Sequence, residues 1–191
     1  MYYVKDTNSS GSNYYVGLDL SLTGTGVTIL KDSTHVCSTT IRSRPPKVAT
    51  PEAEIERLNI IIESVVEYLK KGLGEAPRLV VIEGLAFSAR NTTAVMQLAG
   101  LSYMTRSRLL KEEWPFLVVA PTTLKKYITG KGNSPKELML LEVYRRYGIA
   151  FLDNNQCDSF GLALIGNEMF SSEKQNIPEK QMVKTLSTQL A

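Results

Sequence analysis

The sequence is poor in cysteine and has no long apolar run. Its two cysteines, Cys37 and Cys157, are too few for the disulfide framework of a small secreted domain. No apolar stretch approaches the roughly 18 residues that a membrane-spanning helix requires. The first 13 residues are polar and lack the basic and then apolar pattern of a signal peptide. These absences argue against a disulfide-stapled secreted domain and a membrane-spanning protein, and we expect a cytoplasmic location.

The composition is that of a globular domain. Of the 191 residues, 43% are hydrophobic and 21% are charged. A chain of this length can bury a sizeable core as one domain. We assign that domain to residues 14–170, between a flexible N-terminal arm at 1–13 and a polar C-terminal tail at 171–191. The only histidine, His35, and the cysteine Cys157 are interpreted as structural residues.

Positive charge is concentrated in one segment of the chain. The net charge is only +3, yet the segment from Thr122 to Arg146 holds six basic residues against two acidic ones. A local positive field of this kind attracts phosphate groups. The Thr-Gly-Lys-Gly sequence inside it lacks the spacing and the Gly-Lys-Ser/Thr ending of a nucleotide-binding loop. The pattern therefore indicates phosphate binding without a nucleotide cofactor.

Hydrophobic periodicity predicts a mixed α/β fold. Three strands, Tyr14–Asp19, Gly26–Leu30 and His35–Ile41, are joined by short turns and form an antiparallel meander. Later strands are predicted at 78–83 and Phe116–Ala120, and helices at 51–71, Asn91–Lys111 and about 122–128, 135–147 and 157–169. Helices between the later strands make those strands parallel. This is a five-stranded sheet flanked by helices, the pattern of the ribonuclease H-like fold.

Three acidic residues stand where apolar runs stop or begin. Asp19 and Glu83 each end a strand-like run, and Asp158 opens an apolar helical stretch. A carboxylate at the end of a core strand is costly unless a partner compensates for its desolvation. A divalent cation compensates for all three at once, which points to metal-dependent phosphodiester chemistry. The alternatives are that Asp158 caps its helix and that Asp19 forms a turn.

Four pieces of the sequence resemble the RuvC-type Holliday junction resolvases, and in particular their bacteriophage members. Val16–Gly26 resembles the first-strand motif, with its catalytic Asp and a Thr-Gly turn. Val80–Glu83 resembles the fourth-strand motif with its catalytic Glu. Ala120–Gly132, followed by Lys136, is the closest match, and Asp158 before an apolar helix resembles the last catalytic Asp. The resemblance spans most of the chain.

The resemblance implies a structure-selective, metal-dependent DNA endonuclease that acts in recombination and repair. Such an enzyme resolves Holliday junctions, and in phage relatives other branched DNA as well, by paired nicks that leave a 5′-phosphate and a 3′-hydroxyl. Two Mg²⁺ ions per active site, which Mn²⁺ replaces, and a homodimer on a four-way junction are also implied. A phage-encoded member would act in the host cytoplasm.

The metal-binding and catalytic acids of the family correspond to Asp19, Glu83 and Asp158. The family usually has a fourth acid three residues before the last Asp, where this chain has Asn155. An amide oxygen can bind a metal or orient a water, but it cannot act as a base. Alignment therefore favours Asn155 for the fourth metal-binding role, whereas chemistry favours Asp153.

The resemblance also implies DNA contacts. Lys125 and Lys136 correspond to the two lysines at the scissile region. The remaining DNA-binding candidates are Lys126, Lys131, the phosphate contact Arg90 and the aromatic Phe87, which would stack on bases at the opened crossover. The helix at Asn91–Lys111 corresponds to the helix of the family's dimer interface.

Three other functions are weighed against this one. The change at Asn155 is compatible with a junction-binding protein whose cleavage is weak or lost. An RNA:DNA hybrid nuclease of the same fold is a further alternative, because fold does not fix substrate. An actin-like ATPase or sugar kinase would need two such domains, for which 191 residues leave no room.

Overall fold

The computed structural model describes residues 13–85 and 92–170. Within these ranges the chain forms five strands and five helices. The strands are β1 (Tyr14–Asp19), β2 (Gly24–Lys31), β3 (Thr34–Arg42), β4 (Leu79–Glu83) and β5 (Phe116–Val119). The helices are α1 (Pro51–Leu73), α2 (Thr92–Lys111), α3 (Pro121–Thr129), α4 (Lys136–Tyr147) and α5 (Asn154–Phe170). The proposed tail, and the arm apart from Asn13, lie outside the described residues.

All five strands form one sheet in the order β3-β2-β1-β4-β5. β1 pairs antiparallel with β2, and β2 pairs antiparallel with β3. β4 pairs parallel with both β1 and β5. The predicted mixed sheet of the ribonuclease H-like fold is thereby confirmed. Because parallel strands end at the same edge of a sheet, the last residues of β1 and β4 are brought together there.

Helices cover both faces of the sheet. Alternate residues of β1 and β4 point to opposite faces. Val16, Leu18, Val80 and Ile82 pack in one core cluster with α1 and α2. Tyr15, Leu79 and Val81 pack in the other with α3, α4 and α5. No described helix is both long enough and apolar enough to cross a membrane.

Helix α1 follows from its sequence signals. The Thr50 hydroxyl accepts a hydrogen bond from the Ala53 N–H at 3.2 Å, Pro51 occupies the first turn, and Gly74 ends the helix with φ 68°. The three- and four-residue spacing of apolar residues predicts one buried face made of Ile55, Leu58, Ile62, Val65 and Leu69. The last four are buried, but Ile55 is 54% exposed, so its assignment to the buried face was wrong.

Helix α5 begins at Asn154, three residues before the predicted start. The Asp153 carboxylate accepts a hydrogen bond from the Asn155 N–H at 2.9 Å and so satisfies a donor that the first turn leaves free. Asp153 therefore has the capping role, and Asp158 lies in the second turn. The interpretation of Asp158 as a helix cap is excluded.

Candidate active site

Two of the three predicted acids lie side by side at one edge of the sheet. Leu18 of β1 pairs with Ile82 of β4, so Asp19 and Glu83 are the next residues of two adjacent parallel strands. Both share the strand alternation of Tyr15 and Val81, which face α5. The two carboxylates therefore project from the sheet on the α5 side. They come together because they lie at the ends of adjacent parallel strands and on the same face of the sheet.

Glycines bring the third acid to the same place. A β-carbon at Gly17 would overlap the carbonyl oxygen of Ser159, and one at Gly26 would overlap the carbonyl oxygen of Asn155. The first turns of α5 thus rest directly on the strand backbone. This close approach holds Asp158 within electrostatic reach of Asp19 and Glu83. A signal for it was present in the sequence as Gly at alternate strand positions, but its structural meaning requires the helix.

A buried hydroxyl chain fixes the same helix turn from the side. The Thr28 hydroxyl of β2 forms hydrogen bonds with Ser159 Oγ at 2.8 Å and with Ser38 Oγ at 2.7 Å. His35 Nε2 lies 2.9 Å from Ser38 Oγ, and burial lowers the pKa of His35. This confirms the structural interpretation of His35. Sequence reasoning missed Thr28 and Ser159, since neither belongs to a recognisable motif.

Burial raises the pKa of all three acids, and neighbouring carboxylates raise it further for Asp19 and Glu83. Burial, followed by the charges of Glu83 and Asp158, raises the pKa of Asp19 to about 9. Burial and the charge of Asp158 raise the pKa of Glu83 to about 7, and burial raises that of Asp158. A side-chain hydrogen bond joins Asp19 and Glu83, which requires a proton on one of them. Negative charge is therefore crowded at this edge beyond what the protein neutralises.

The donor set fits a hard divalent cation. Carboxylate oxygens are the ligands that Mg²⁺ and Mn²⁺ prefer, and crowded, buried carboxylates gain most from a nearby positive charge. Across residues 13–85 and 92–170, no three His, Cys, Asp or Glu side chains already stand in the geometry of a formed metal centre. The site thus has the chemistry for metal binding, with Asp19 and Glu83 held to each other by a hydrogen bond.

The two candidates for the fourth position lie in different surroundings. Both oxygens of Asp153 are engaged: one accepts from the Asn155 N–H, and the other accepts from Thr40 Oγ1 at 2.7 Å and from Arg42 at 3.4 Å. Asn155 instead lies over Gly26, the residue paired with Asp19. The backbone of Asn155 therefore lies beside the residue that pairs with Asp19, with its side-chain amide near Gly24, whereas the Asp153 carboxylate is bound to β3.

Two of the predicted lysines act on the carboxylates electrostatically. The charge of Lys136, at the start of α4, lowers the pKa of Asp19, Glu83 and Asp158 and so opposes the effect of burial. Lys125 of α3 does the same for Glu83 and Asp158. The α3–α4 turn that spaces the two helices has Gly130 in the left-handed region, with φ 79°.

Other predicted DNA contacts lie farther out or cannot be placed. Lys126 and Lys131 have exposed side chains on α3 and on the turn after it. Phe87 and Arg90 lie outside the described residues. Next to the carboxylates, the structure has an apolar cavity of about 250 Å³ that sequence analysis did not anticipate. Its lining comes from the β1–β2 turn, Leu85 and the start of α2.

Comparison with known proteins places the chain in a family. A family model described as crossover junction endodeoxyribonuclease RuvC matches residues 15–154. The chain belongs to the RuvC family. The resemblance to this family is thereby confirmed, and the match includes Asp19, Glu83, Lys125 and Lys136 but ends before Asn155 and Asp158.

Solved structures of RuvC share this fold. RuvC from Thermus thermophilus superposes with a TM-score of 0.62 and 20% identity, over 79% of this chain and 91% of that one. The same protein in complex with a Holliday junction substrate gives a TM-score of 0.63 and 17% identity, over 79% and 90%. The yeast mitochondrial Holliday junction resolvase Ydc2 gives 0.56 and 10%, over 92% and 80%. The comparison with curated proteins found no match.

Proposed function

We propose that this RuvC-family protein is a structure-selective, metal-dependent DNA endonuclease that resolves Holliday junctions. The observation that carries the proposal is the meeting of Asp19, Glu83 and Asp158 at one sheet edge, with Lys125 and Lys136 beside them. Membership of the RuvC family supports the same activity. So does the structural neighbour that holds a Holliday junction substrate.

Asp19, Glu83 and Asp158 would hold two Mg²⁺ or Mn²⁺ ions, and Asn155 would complete the set. When bound, such ions lower the pKa of an attacking water and stabilise the departing 3′-oxygen. Lys125 and Lys136 carry compact positive charges suited to the scissile phosphate. The Asn155 amide orients a water without taking its proton. The products are nicks with a 5′-phosphate and a 3′-hydroxyl.

The DNA path continues beyond the scissile phosphate. Lys126 and Lys131 are exposed on α3 and the following turn, where they are free to bind backbone phosphates. Phe87 and Arg90 follow Glu83 by a few residues in the sequence and would contact unpaired bases and phosphate. We extend the proposed substrates to other branched DNA, and the proposed role to recombination and repair by a phage-encoded protein in the host cytoplasm.

An exposed stripe on α2 supports a homodimer. Met96, Tyr103 and Leu110 recur every seven residues and are 74%, 65% and 46% exposed. On the opposite side of the helix, Leu101 and Leu109 are fully buried in the core with α1. The stripe is therefore left over after α2 packs on its own domain. A two-fold dimer through it would present two active sites to a two-fold symmetric junction.

A junction-binding protein with weak cleavage is the second candidate, because Asn155 cannot act as a base. Cleavage and binding assays distinguish the two. A synthetic four-way junction is incubated with the wild type and with Glu83→Gln in Mg²⁺ and in Mn²⁺, with linear duplex and RNA:DNA hybrid as controls.

We expect paired nicks in opposite strands of the junction from the wild type, and binding without nicking from Glu83→Gln. The variant keeps the shape of Glu83 but loses the charge that would bind a metal. Equal cutting by both proteins would remove Glu83 from the mechanism. Binding without cutting by the wild type in either metal would support the second candidate, and preferential cutting of the hybrid would redirect the proposal to RNA:DNA substrates.

A further inference from the structure

A second basic segment lies on the side of the carboxylates away from the lysines. It consists of residues 42–47, between β3 and α1, and carries Arg42, Arg44 and Lys47. No acidic residue occurs from Ser33 to Ala49. All three side chains are exposed, Arg42 by 77%. We refer to residues 42–47 as the β3-edge segment.

The β3-edge segment lies at the same edge of the sheet as the active site. β3 runs antiparallel to β2, so its last residue, Arg42, pairs with Gly24 at the start of β2. Asp19 pairs with Gly26 two residues further along β2. Arg42 is therefore two strands away from Asp19, about 10 Å across the sheet. Lys125 follows β5, on the other side of Glu83, so positive charge flanks the acids on both sides.

Hydrogen bonds fix this segment against the β1–β2 turn. The Ser43 N–H donates to the Thr23 carbonyl at 3.1 Å. Arg57 of α1 donates to Ser43 Oγ at 3.1 Å and to the Leu22 carbonyl. Pro45 and Pro46 restrict the backbone between Arg44 and Lys47. The backbone at Ser43, between Arg42 and Arg44, is thus held in place before any ligand binds, which lowers the entropic cost of ordering this segment.

The charges are largely available for an external anion. Among the described residues, Arg44 and Lys47 form no ion pair. Arg42 has one contact with Asp153, at 3.4 Å, and exposed pairs of this kind contribute little. The acids Glu52 and Glu54 that follow lie in the first turn of α1, where they complement the positive end of that helix.

We propose that the β3-edge segment binds the phosphate backbone of a DNA arm on the far side of the scissile phosphate from Lys125. Three basic side chains, spread from the end of β3 to the start of α1, suit a run of successive phosphates and not a compact anion. The DNA would then cross the whole upper edge of the sheet, from α3 over the carboxylates to β3. This inference rests on the proposed junction-binding function.

Binding of a four-way junction, measured against salt concentration, tests the inference in the Glu83→Gln protein with Mg²⁺. The test variant adds R42Q, R44Q and K47Q. The control adds K31Q, K71Q and K111Q, which remove equal charge from exposed positions at the end of β2 and in the last turns of α1 and α2. We expect the test variant to bind about tenfold or more weakly, with a salt slope reduced by about 2–3, and the control to keep the parental slope.

Hydroxyl-radical footprinting then locates the contact. The test variant should lose protection of phosphates on one side of the scissile position and keep it on the other. Equal slopes for test and control, or a loss of protection on both sides, would overturn the inference while the proposed function stands. If the parental protein does not bind the junction, the proposed function and this inference both fail. Thermal unfolding of each variant confirms that folding is intact.

Discussion

Single residues decide whether the acids meet. Asp158 reaches the sheet edge only because α5 rests on the backbone of β1 and β2, and that contact depends on Gly17 and Gly26. The smallest side chain, a methyl group, would collide there with helix backbone, which cannot swing away as a flexible side chain could. The position of Asp158 is thus controlled by residues that carry no functional group.

Gly17→Ala should push α5 away from β1. Overpacking of this kind destabilises a protein by about 1–3 kcal/mol, and collision with backbone places the change at the upper end. We expect a lower unfolding midpoint, and DNA cleavage reduced further than the unfolded fraction explains, because Asp158 is displaced.

Gly100→Ala is the matched control. A β-carbon there meets only Leu58 Cδ1, at 3.4 Å, and Ala is the better helix former. Its stability and cleavage should equal or exceed those of the wild type. If Gly17→Ala behaves like this control in thermal unfolding and in cleavage, the close contact of the α5 backbone with β1 is wrong.

At the scale of elements, α2 has one face that packs on its own domain and one apolar face that is exposed. Its buried side contributes Leu101 and Leu109 to the core with α1. Its outer side carries the stripe of Met96, Tyr103 and Leu110, and the Arg106 guanidinium lies 4.7 Å from the Tyr103 ring centre. Large exposed apolar side chains in a row are typical of a protein interface.

Replacement of Met96 and Tyr103 together by Glu should dissociate the proposed dimer, because charges in an apolar interface lose their hydration. We expect light scattering to give the monomer mass, and junction cleavage to change from paired to single nicks. The control replaces Ile55 and Ile60 of α1, which are 54% and 58% exposed, by Glu. If the dimer survives the α2 change but dissociates with the α1 change, the interface lies on α1 and the proposed α2 interface is wrong.

At the scale of the whole molecule, the crowded acids make stability depend on pH. The pKa of Asp19 is raised to about 9 and that of Glu83 to about 7, both above the unfolded values near 4. Between these limits the folded state holds more protons than the unfolded state. The free energy of unfolding of the metal-free protein therefore falls as pH rises from about 4 to about 9.

Asp19→Asn should remove much of the decrease in the free energy of unfolding with rising pH. In EDTA at pH 8 we expect the variant to unfold at a higher temperature than the wild type, with a smaller difference at pH 5. Mg²⁺ or Mn²⁺ should raise the unfolding temperature of the wild type more than that of the variant, since only the wild type has all three acids. Glu56→Gln, at an exposed position on α1, serves as the control. If the wild type and Asp19→Asn show the same dependence of unfolding temperature on pH, the coupling of the acids is contradicted.

The sequence predicted the sheet and the identity of its acids because both depend on local patterns. Strand alternation, apolar runs and short turns are properties of neighbouring residues, and Asp19 and Glu83 were located by the runs that they end. The start of α5 was misplaced because its cap, Asp153, also bonds to Thr40 and Arg42 of β3, which are distant in sequence. The contact of α5 with Gly17 and the position of the β3-edge segment beside the acids were not predicted for the same reason. Both depend on residues that come together only when the sheet has assembled.

The order of the elements along the chain has a consequence for synthesis. Asp158 belongs to α5, the last helix in the described part of the chain, whereas Asp19 belongs to the first strand. α5 also supplies Phe160, Leu162 and Ala163 to the core beneath it. A polypeptide still emerging from the ribosome, or one cut short before α5, therefore lacks both the covering of one sheet face and the third acid. Under the proposed function, the chain therefore gains its full set of acids for strand cutting only when translation is nearly complete.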